Sequence, residues 1–117
     1  MTASLPKEER LSGKKAIGTL MDGGRWGHTT HLRYCCLDGN GLEFSRLMIS
    51  VPKRSFKRAV RRNLLKRRIR EAYRTQKDLL GEGRGIDILI VYSSPEIQDY
   101  SVIREEMATV LTKVSAK

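Results

Sequence analysis

The fold turns on KRSFKRAVRRNLLKRRIREAYR, residues 53–74, and on IDILIVY, residues 86–92, which follows across a glycine-rich gap. No proline or glycine interrupts the chain from Ala59 to Leu80, and Arg, Leu, Lys, Glu and Ala are good helix formers. A helix from Ala59 to about Leu80 is therefore predicted, the longest of the chain. At about 100° per residue, Leu65, Ile69, Ala72, Tyr73, Leu79 and Leu80 share one side, with Asn63, Lys66, Arg67, Arg70 and Arg74 opposite or flanking. The helix is amphipathic, with an apolar stripe and a cationic one. Arg61 and Arg68 fall on a third side, so the arginines do not all serve one surface. Gly81, Gly83 and Gly85 end the helix, and the apolar run Ile86, Ile88, Leu89, Ile90 and Val91 reads as a central strand buried on both faces.

Upstream of the helix, Pro52 closes a strand predicted over roughly Leu42 to Val51. Before that, Leu32, Tyr34 and Cys36 alternate with His31, Arg33 and Cys35 in a strand from His31 to Leu37. Asp38-Gly39-Asn40-Gly41 supplies the positive-φ residues of a tight hairpin between the two. Ser12 is the predicted N-cap of a short first helix in which Ile17, Leu20 and Met21 recur, and Gly23-Gly24 stops it. Residues 1–11 form an extended lead-in anchored by Leu5 and Leu11. Downstream, Asp99 or Ser101 caps a last helix whose apolar positions are Val102, Ile103, Met107, Val110, Leu111 and Val114. The order α-β-β-α-β-α defines an α+β class, a single-domain two-layer α/β sandwich over residues 1–117 with a long basic helix after the second strand.

A chain of 117 residues holds one core and leaves no room for a large multi-part enzyme. Its net charge is +10, and residues 53–74 account for all of it. Eleven basic residues and one acid, Glu71, lie there, while the rest of the chain carries twelve of each sign. A merely solvated helix interleaves Glu with Lys and Arg. Here Arg58, Arg62, Lys66 and Arg70 stack like charges at four-residue spacing, so a bound polyanion is the economical reading. Arg outnumbers Lys, which suits bidentate phosphate contact. Asn63 adds a neutral donor and acceptor for a base edge, a 2′-hydroxyl or a hydrated metal ion held by RNA.

Catalytic chemistry is scarce. GxSxG, CxxC, HExxH and phosphate-cradling glycine motifs are missing, the acids are scattered, and no catalytic residue is predicted. Cys35 and Cys36 are adjacent, so their side chains point to opposite faces of a strand and make a poor disulfide pair. With His28 and His31 they match no zinc spacing, and no metal site is predicted. Two cysteines without a secretory leader fit a reducing compartment, and a cytoplasmic location is expected. No apolar stretch approaches the roughly 18 residues of a membrane span, so no membrane partner is expected. Among Trp26, Tyr34, Phe44, Tyr73, Tyr92 and Tyr100, Tyr34 is the candidate for stacking on an unpaired base, at about 1–3 kcal/mol, and Tyr73 belongs to the core. An rRNA-binding ribosomal protein or an RNA chaperone fits the same basic helix, whereas a membrane-surface helix conflicts with its central place in the domain.

Arg62-Asn63-Leu64-Leu65-Lys66-Arg67-Arg68-Ile69-Arg70 resembles the Arg-Asn-Arg-x-Lys-Arg-x-x-Arg signature of the bacterial ribonuclease P protein subunit. VPKRSFKRAV at 51–60 is similar to that family's approach to the helix, and LPKEERL at 5–11 with Lys14-Lys15 resembles its N-terminal segment. The resemblance covers nearly the whole chain in the same order of elements. It implies a fold like the second domain of ribosomal protein S5, with a left-handed βαβ crossover in place of the usual right-handed one. It also implies a ribonucleoprotein that removes the 5′ leader of precursor tRNA, with catalytic Mg²⁺ held mainly by the RNA subunit and none bound tightly by the protein. The implied partners are the ribonuclease P RNA subunit and the precursor leader, with no obligate protein partner. By position, Arg62, Asn63, Lys66, Arg67 and Arg70 become RNA contacts, with Lys53, Arg54, Lys57 and Arg58 beside them, and Arg74 on the cationic stripe is a further RNA-binding candidate. The signature's second Arg is Leu64 here. Ile17 and Met21 stand where the family has aromatics lining a leader cleft between the first helix and the sheet, so leader stacking is expected either to be weaker or to be carried by Tyr34 alone.

Overall fold

Six of the seven residues Ile86–Tyr92 are buried, and that strand lies inside the sheet with a neighbour on each edge. The computed structural model describes residues 5–81, 83 and 85–116, so the first four residues of the predicted lead-in lie outside it. In chain order the elements are α1 (Lys14–Gly23), β1 (Arg25–His28), β2 (Leu32–Asp38), β3 (Arg46–Ser50), α2 (Ala59–Arg74), β4 (Ile86–Tyr92) and α3 (Tyr100–Ser115), with short 3₁₀ turns at Lys7–Glu9 and Lys77–Leu80. The sheet order is β1-β2-β4-β3. β2 runs antiparallel to both β1 and β4, and β3 runs parallel to β4, so α2 is the crossover of a βαβ unit.

Alternation along the strands sorts the core into two. Leu32, Tyr34, Cys36, Leu47, Ile86, Ile88, Ile90 and Tyr92 face α2 and α3, which close the main core with Leu65, Ile69, Tyr73, Ile103, Met107 and Leu111. Cys35 and Leu89 face the other way and are covered by Leu11 and by Leu20 of α1, with Ile17, Met48 and Val91 packed around them. The adjacent cysteines thus point to opposite faces, as alternation requires. α2 and α3 form the helical layer of the α+β sandwich, while α1 lies alone on the far face of the sheet. The lead-in joins the two sides. Leu5 is buried in the main core and Leu11 in the smaller one, and the Leu11 amide donates to the Leu47 carbonyl at 2.8 Å along the edge of β3.

The hairpin predicted at Asp38–Gly41 does not form, because β4 is inserted between β2 and β3. A strand that is apolar on both faces needs two neighbours, and β4 takes both. Gly39 and Gly41 do adopt positive φ, 77° and 82°, but their loop turns over the start of β4. The amides of Gly39 and Asn40 each donate to the Gly85 carbonyl at 3.0 Å. β3 is correspondingly short, five residues rather than the predicted Leu42–Val51.

Other boundaries shift for local reasons. α1 is capped by Gly13, at φ 94°, and not by Ser12. α2 stops at Arg74 rather than near Leu80, and it equals α3 at 16 residues instead of being the longest helix. Thr75 Oγ1 donates to the Glu71 carbonyl at 2.9 Å, and Gln76 Nε2 donates to the carbonyls of Ala72 and Arg104, both at 3.0 Å. These side chains satisfy carbonyls that further helical turns would have used, and the 3₁₀ turn then carries Leu80 into the core.

β1 is a strand without a pattern, four residues that pair with Cys36 to Arg33. Its register rests on Gly27, opposite Tyr34. A Cβ on Gly27 would lie 2.3 Å from the Tyr34 hydroxyl oxygen and 2.4 Å from its Cζ, so the ring lies across the bare backbone. Gly27→Ala is expected to displace that ring and to cost about 1–3 kcal/mol, read as a lower Tm. Gly18→Ala on α1, where a Cβ meets nothing within 4 Å, should leave Tm unchanged or raise it.

Candidate nucleic-acid interface

Buried Val51 and Phe56 pin the two ends of the turn that leads into α2. The amides of Ser55 and Phe56 donate to the Pro52 carbonyl at 3.2 and 3.3 Å, and the Phe56 ring packs on Tyr92 with centroids 5.7 Å apart. With its apolar residues drawn inward, the approach leaves Lys53, Arg54, Lys57 and Arg58 exposed. On α2 itself Leu65, Ile69, Ala72 and Tyr73 are buried. The opposite face presents a shallow groove lined by Val60, Asn63, Lys66, Arg67 and Arg70. Val60 is 79% exposed, an apolar strip along a cationic surface.

Three arginines of this region have other work. Arg62 donates to the carbonyls of Phe56 at 2.7 Å and Lys57 at 2.9 Å, bracing the approach turn. Arg68 donates to the Gln98 carbonyl at 2.6 Å and ties α2 to the segment before α3. Arg74 forms an ion pair with Glu71 one turn back. Of the predicted contacts, the groove therefore unites Asn63, Lys66, Arg67 and Arg70, while Lys53, Arg54, Lys57 and Arg58 are exposed on the segment leading into α2. Arg62 and Arg74 stand beside it with their guanidinium groups engaged. Arg62→Ala is expected to cost about 1 kcal/mol of stability through the lost carbonyl bonds. Arg67→Ala, an exposed residue, should leave the thermal melt unchanged, and a melt of each variant checks the pair.

The second surface is the far side of the sheet beside α1. Tyr34 is not part of it. Tyr34 is 9% exposed and packs in the main core under α3, because its strand parity is that of Leu32 and Cys36 and not that of Cys35, which faces α1. The register instead sets Trp26 opposite Cys35 and His28 opposite Arg33 on the open face. Trp26 is 45% exposed, and Arg33 Cζ stands 5.2 Å from its ring centroid in a cation–π contact. Ile17 packs into the small core beneath α1, and Met21, one turn further on, is 48% exposed. Ile17 and Met21 lie at this face, where Trp26 and Arg33 also stand. The only sequence signal for this pair was a lone Trp in a polar stretch.

β1, which carries Trp26, is held down through the turn that follows it. Glu106 on α3 accepts hydrogen bonds from Thr29 Oγ1 at 2.5 Å, from the His31 amide at 2.7 Å and from His31 Nδ1. Burial pushes the Glu106 carboxyl up, but those bonds outweigh it and hold the group below the ordinary carboxylate range. A carboxylate with a lowered folded pKa stabilises the fold above its ordinary pKa, and that contribution is lost as pH falls through the folded value. Glu106→Gln should lower Tm at pH 7, and the gap to the parent protein should close below about pH 4.

A cationic helix groove and an open sheet face carrying an aromatic–arginine pair, on one small α+β domain, define a protein built to lie against polyanionic chains. The family model for Ribonuclease P matches residues 5–115, and the chain belongs to that family. The ribonuclease P protein component of Porphyromonas gingivalis is 33% identical over 121 residues, covering 97% of this chain and 88% of that protein. The component of Thermotoga maritima is 32% identical over 119 residues, covering 97% and 98%. The solved structure of the Thermotoga maritima protein matches with a TM-score of 0.77 at 27% identity, over 90% of this chain and 96% of that one. The Staphylococcus aureus protein shares the fold with the same TM-score, at 23% identity over 92% and 95%. The chain is accordingly a protein component of the ribonucleoprotein that processes the 5′ end of tRNA, and its partner is the ribonuclease P RNA. Among the described residues no helix is long and apolar enough to cross a membrane.

Proposed function

We propose that α2 docks on the RNA subunit through Asn63, Lys66, Arg67 and Arg70, with Lys53, Arg54, Lys57 and Arg58 extending the contact, while the open sheet face receives the single-stranded precursor leader. The holoenzyme hydrolyses one phosphodiester bond endonucleolytically, with the reacting Mg²⁺ held in the RNA subunit. The observation that carries this reading is the concentration, in one groove of one helix face, of positive charge with no acidic partner among the described residues. Two RNAs repel each other, and fixed cations between them raise substrate affinity and lower the Mg²⁺ concentration that assembly requires. The protein's part is binding and screening, performed in the cytoplasm without another obligate protein partner. On the sheet face, Trp26 offers a stacking platform and Arg33 a phosphate partner, with Ile17 and Met21 as the opposing wall. Arg62 and Arg74 join the α2 contact by exchanging their internal partners for phosphate.

Cleavage of a 5′-leader precursor tRNA by ribonuclease P RNA at low Mg²⁺, with and without the protein, tests this reading. Stimulation is expected, and Lys66→Ala with Arg67→Ala should remove most of it. Contact with about five phosphates gives a slope of about −3 to −5 in log affinity against log salt. Tight RNA binding with no stimulation would favour an rRNA-binding or chaperone role, and a flat salt response would remove the electrostatic argument.

A further inference from the structure

A shallow notch between α2 and the start of α3 is lined by Arg67, Arg68, Glu71 and Tyr100. We propose that it receives an unstacked, amino-bearing base of the partner RNA, stacked on the Tyr100 ring and read by the Glu71 carboxylate. This rests on the docking of α2 to the RNA subunit and extends that contact to α3. Tyr100 differs from the other rings beneath the helical layer. Tyr34, Phe56, Tyr73 and Tyr92 are buried, whereas Tyr100 packs on the main core and keeps part of its surface open to the notch. The cationic groove of Asn63, Lys66 and Arg70 is continuous with the notch through Arg67, which lines both. A strand whose phosphates follow the groove therefore passes beside an aromatic residue, the pairing of charge and ring that holds unpaired nucleotides.

The notch is braced before any RNA arrives. Arg68 donates to the Gln98 carbonyl at 2.6 Å, the Gln98 amide donates to the buried Tyr92 hydroxyl at 3.0 Å, and that hydroxyl donates to the Glu96 carbonyl. The segment leading to Tyr100 is thus fixed by α2 on one side and by β4 on the other. With its guanidinium engaged, Arg68 offers the notch its apolar stem. Glu71 is the one acid among residues 53–74, and Arg74 holds it through Nε at 3.2 Å and through Nη2. Those hydrogen bonds keep its carboxyl below the ordinary carboxylate range. It is therefore an ionised acceptor, with lone pairs beyond those that Arg74 occupies. A carboxylate accepts a hydrogen bond from the cytosine amino group. Uracil sets a carbonyl oxygen at the same position and is repelled.

Affinity of the full chain for ribonuclease P RNA, measured across salt for Tyr100→Leu, Tyr100→Phe and Lys66→Ala, tests the assignment. Tyr100→Leu should bind about tenfold more weakly with an unchanged salt slope, because a stack is lost and no phosphate contact is. Tyr100→Phe, which keeps the ring, should retain the affinity that Tyr100→Leu loses. Lys66→Ala should flatten the slope by about 1. Amide shifts of the parent protein, titrated separately with short oligocytidylate and oligouridylate, read the base: residues 71 and 99–101 should respond to the first far more than to the second. Parental affinity in Tyr100→Leu, an equal loss in Tyr100→Phe, or equal or absent responses of residues 71 and 99–101 to the two oligonucleotides would overturn the proposal. An unchanged slope in Lys66→Ala would instead overturn the α2 docking on which the notch depends.

Discussion

Arg62, Lys66 and Arg70 follow one another at four-residue spacing along α2, with only Glu71 to relieve them on the whole helix. Each like-charge pair costs a helix about 0.2–0.5 kcal/mol, and α2 has neither an acidic first turn nor a side-chain cap to offset that. What holds it is the opposite stripe. Full burial of a side chain such as Leu65 or Ile69 contributes about 1.5–3 kcal/mol, and Tyr73 adds more, so the apolar face outweighs the repulsion several-fold. The cationic face can therefore remain unneutralised in the free protein, available to an RNA partner. The absence of acids from that face costs little stability, while removing apolar residues from the other would release the helix.

The same anchoring explains how one small domain presents two different surfaces. β4 is buried on both sides, which places α2 and α3 on one face of the sheet and leaves α1 to cover only part of the other. The uncovered part carries Trp26 and Arg33. In the proposed holoenzyme the helix layer meets folded RNA by charge, and the sheet face meets a single strand by stacking. The Glu106 brace from α3 to the β1–β2 turn spans the two layers and fixes the strand that bears Trp26.

Where residues repeat with a period, the sequence shows the structure plainly. The α2 stripe, the double-sided burial of β4 and the opposite directions of Cys35 and Cys36 follow from spacing alone. The pairing of β3 does not, because Asp38-Gly39-Asn40-Gly41 has the chemistry of a hairpin turn while strand choice is decided by β4, some fifty residues later. β1 has four residues and a glycine, too few to alternate, and it acquires its register from the Tyr34 ring lying over Gly27. The same ring lies in the main core and not on the open face, because alternation tells which residues share a face but not which face is open. Trp26 and Arg33 became neighbours only once β1 paired with β2. The family signature indicated Arg62 as a contact, but a guanidinium that reaches back to carbonyls five and six residues earlier leaves no trace in a charge pattern.

The central claim is that the two surfaces hold two different RNAs, and photo-crosslinking in the assembled holoenzyme with precursor tRNA tests it most directly. A photoreactive group placed at position 67 should crosslink to the RNA subunit, and one at position 26 should crosslink to the 5′ leader and lose its product when the leader is removed. Crosslinks from both positions to the RNA subunit alone, unchanged by the leader, would contradict the account.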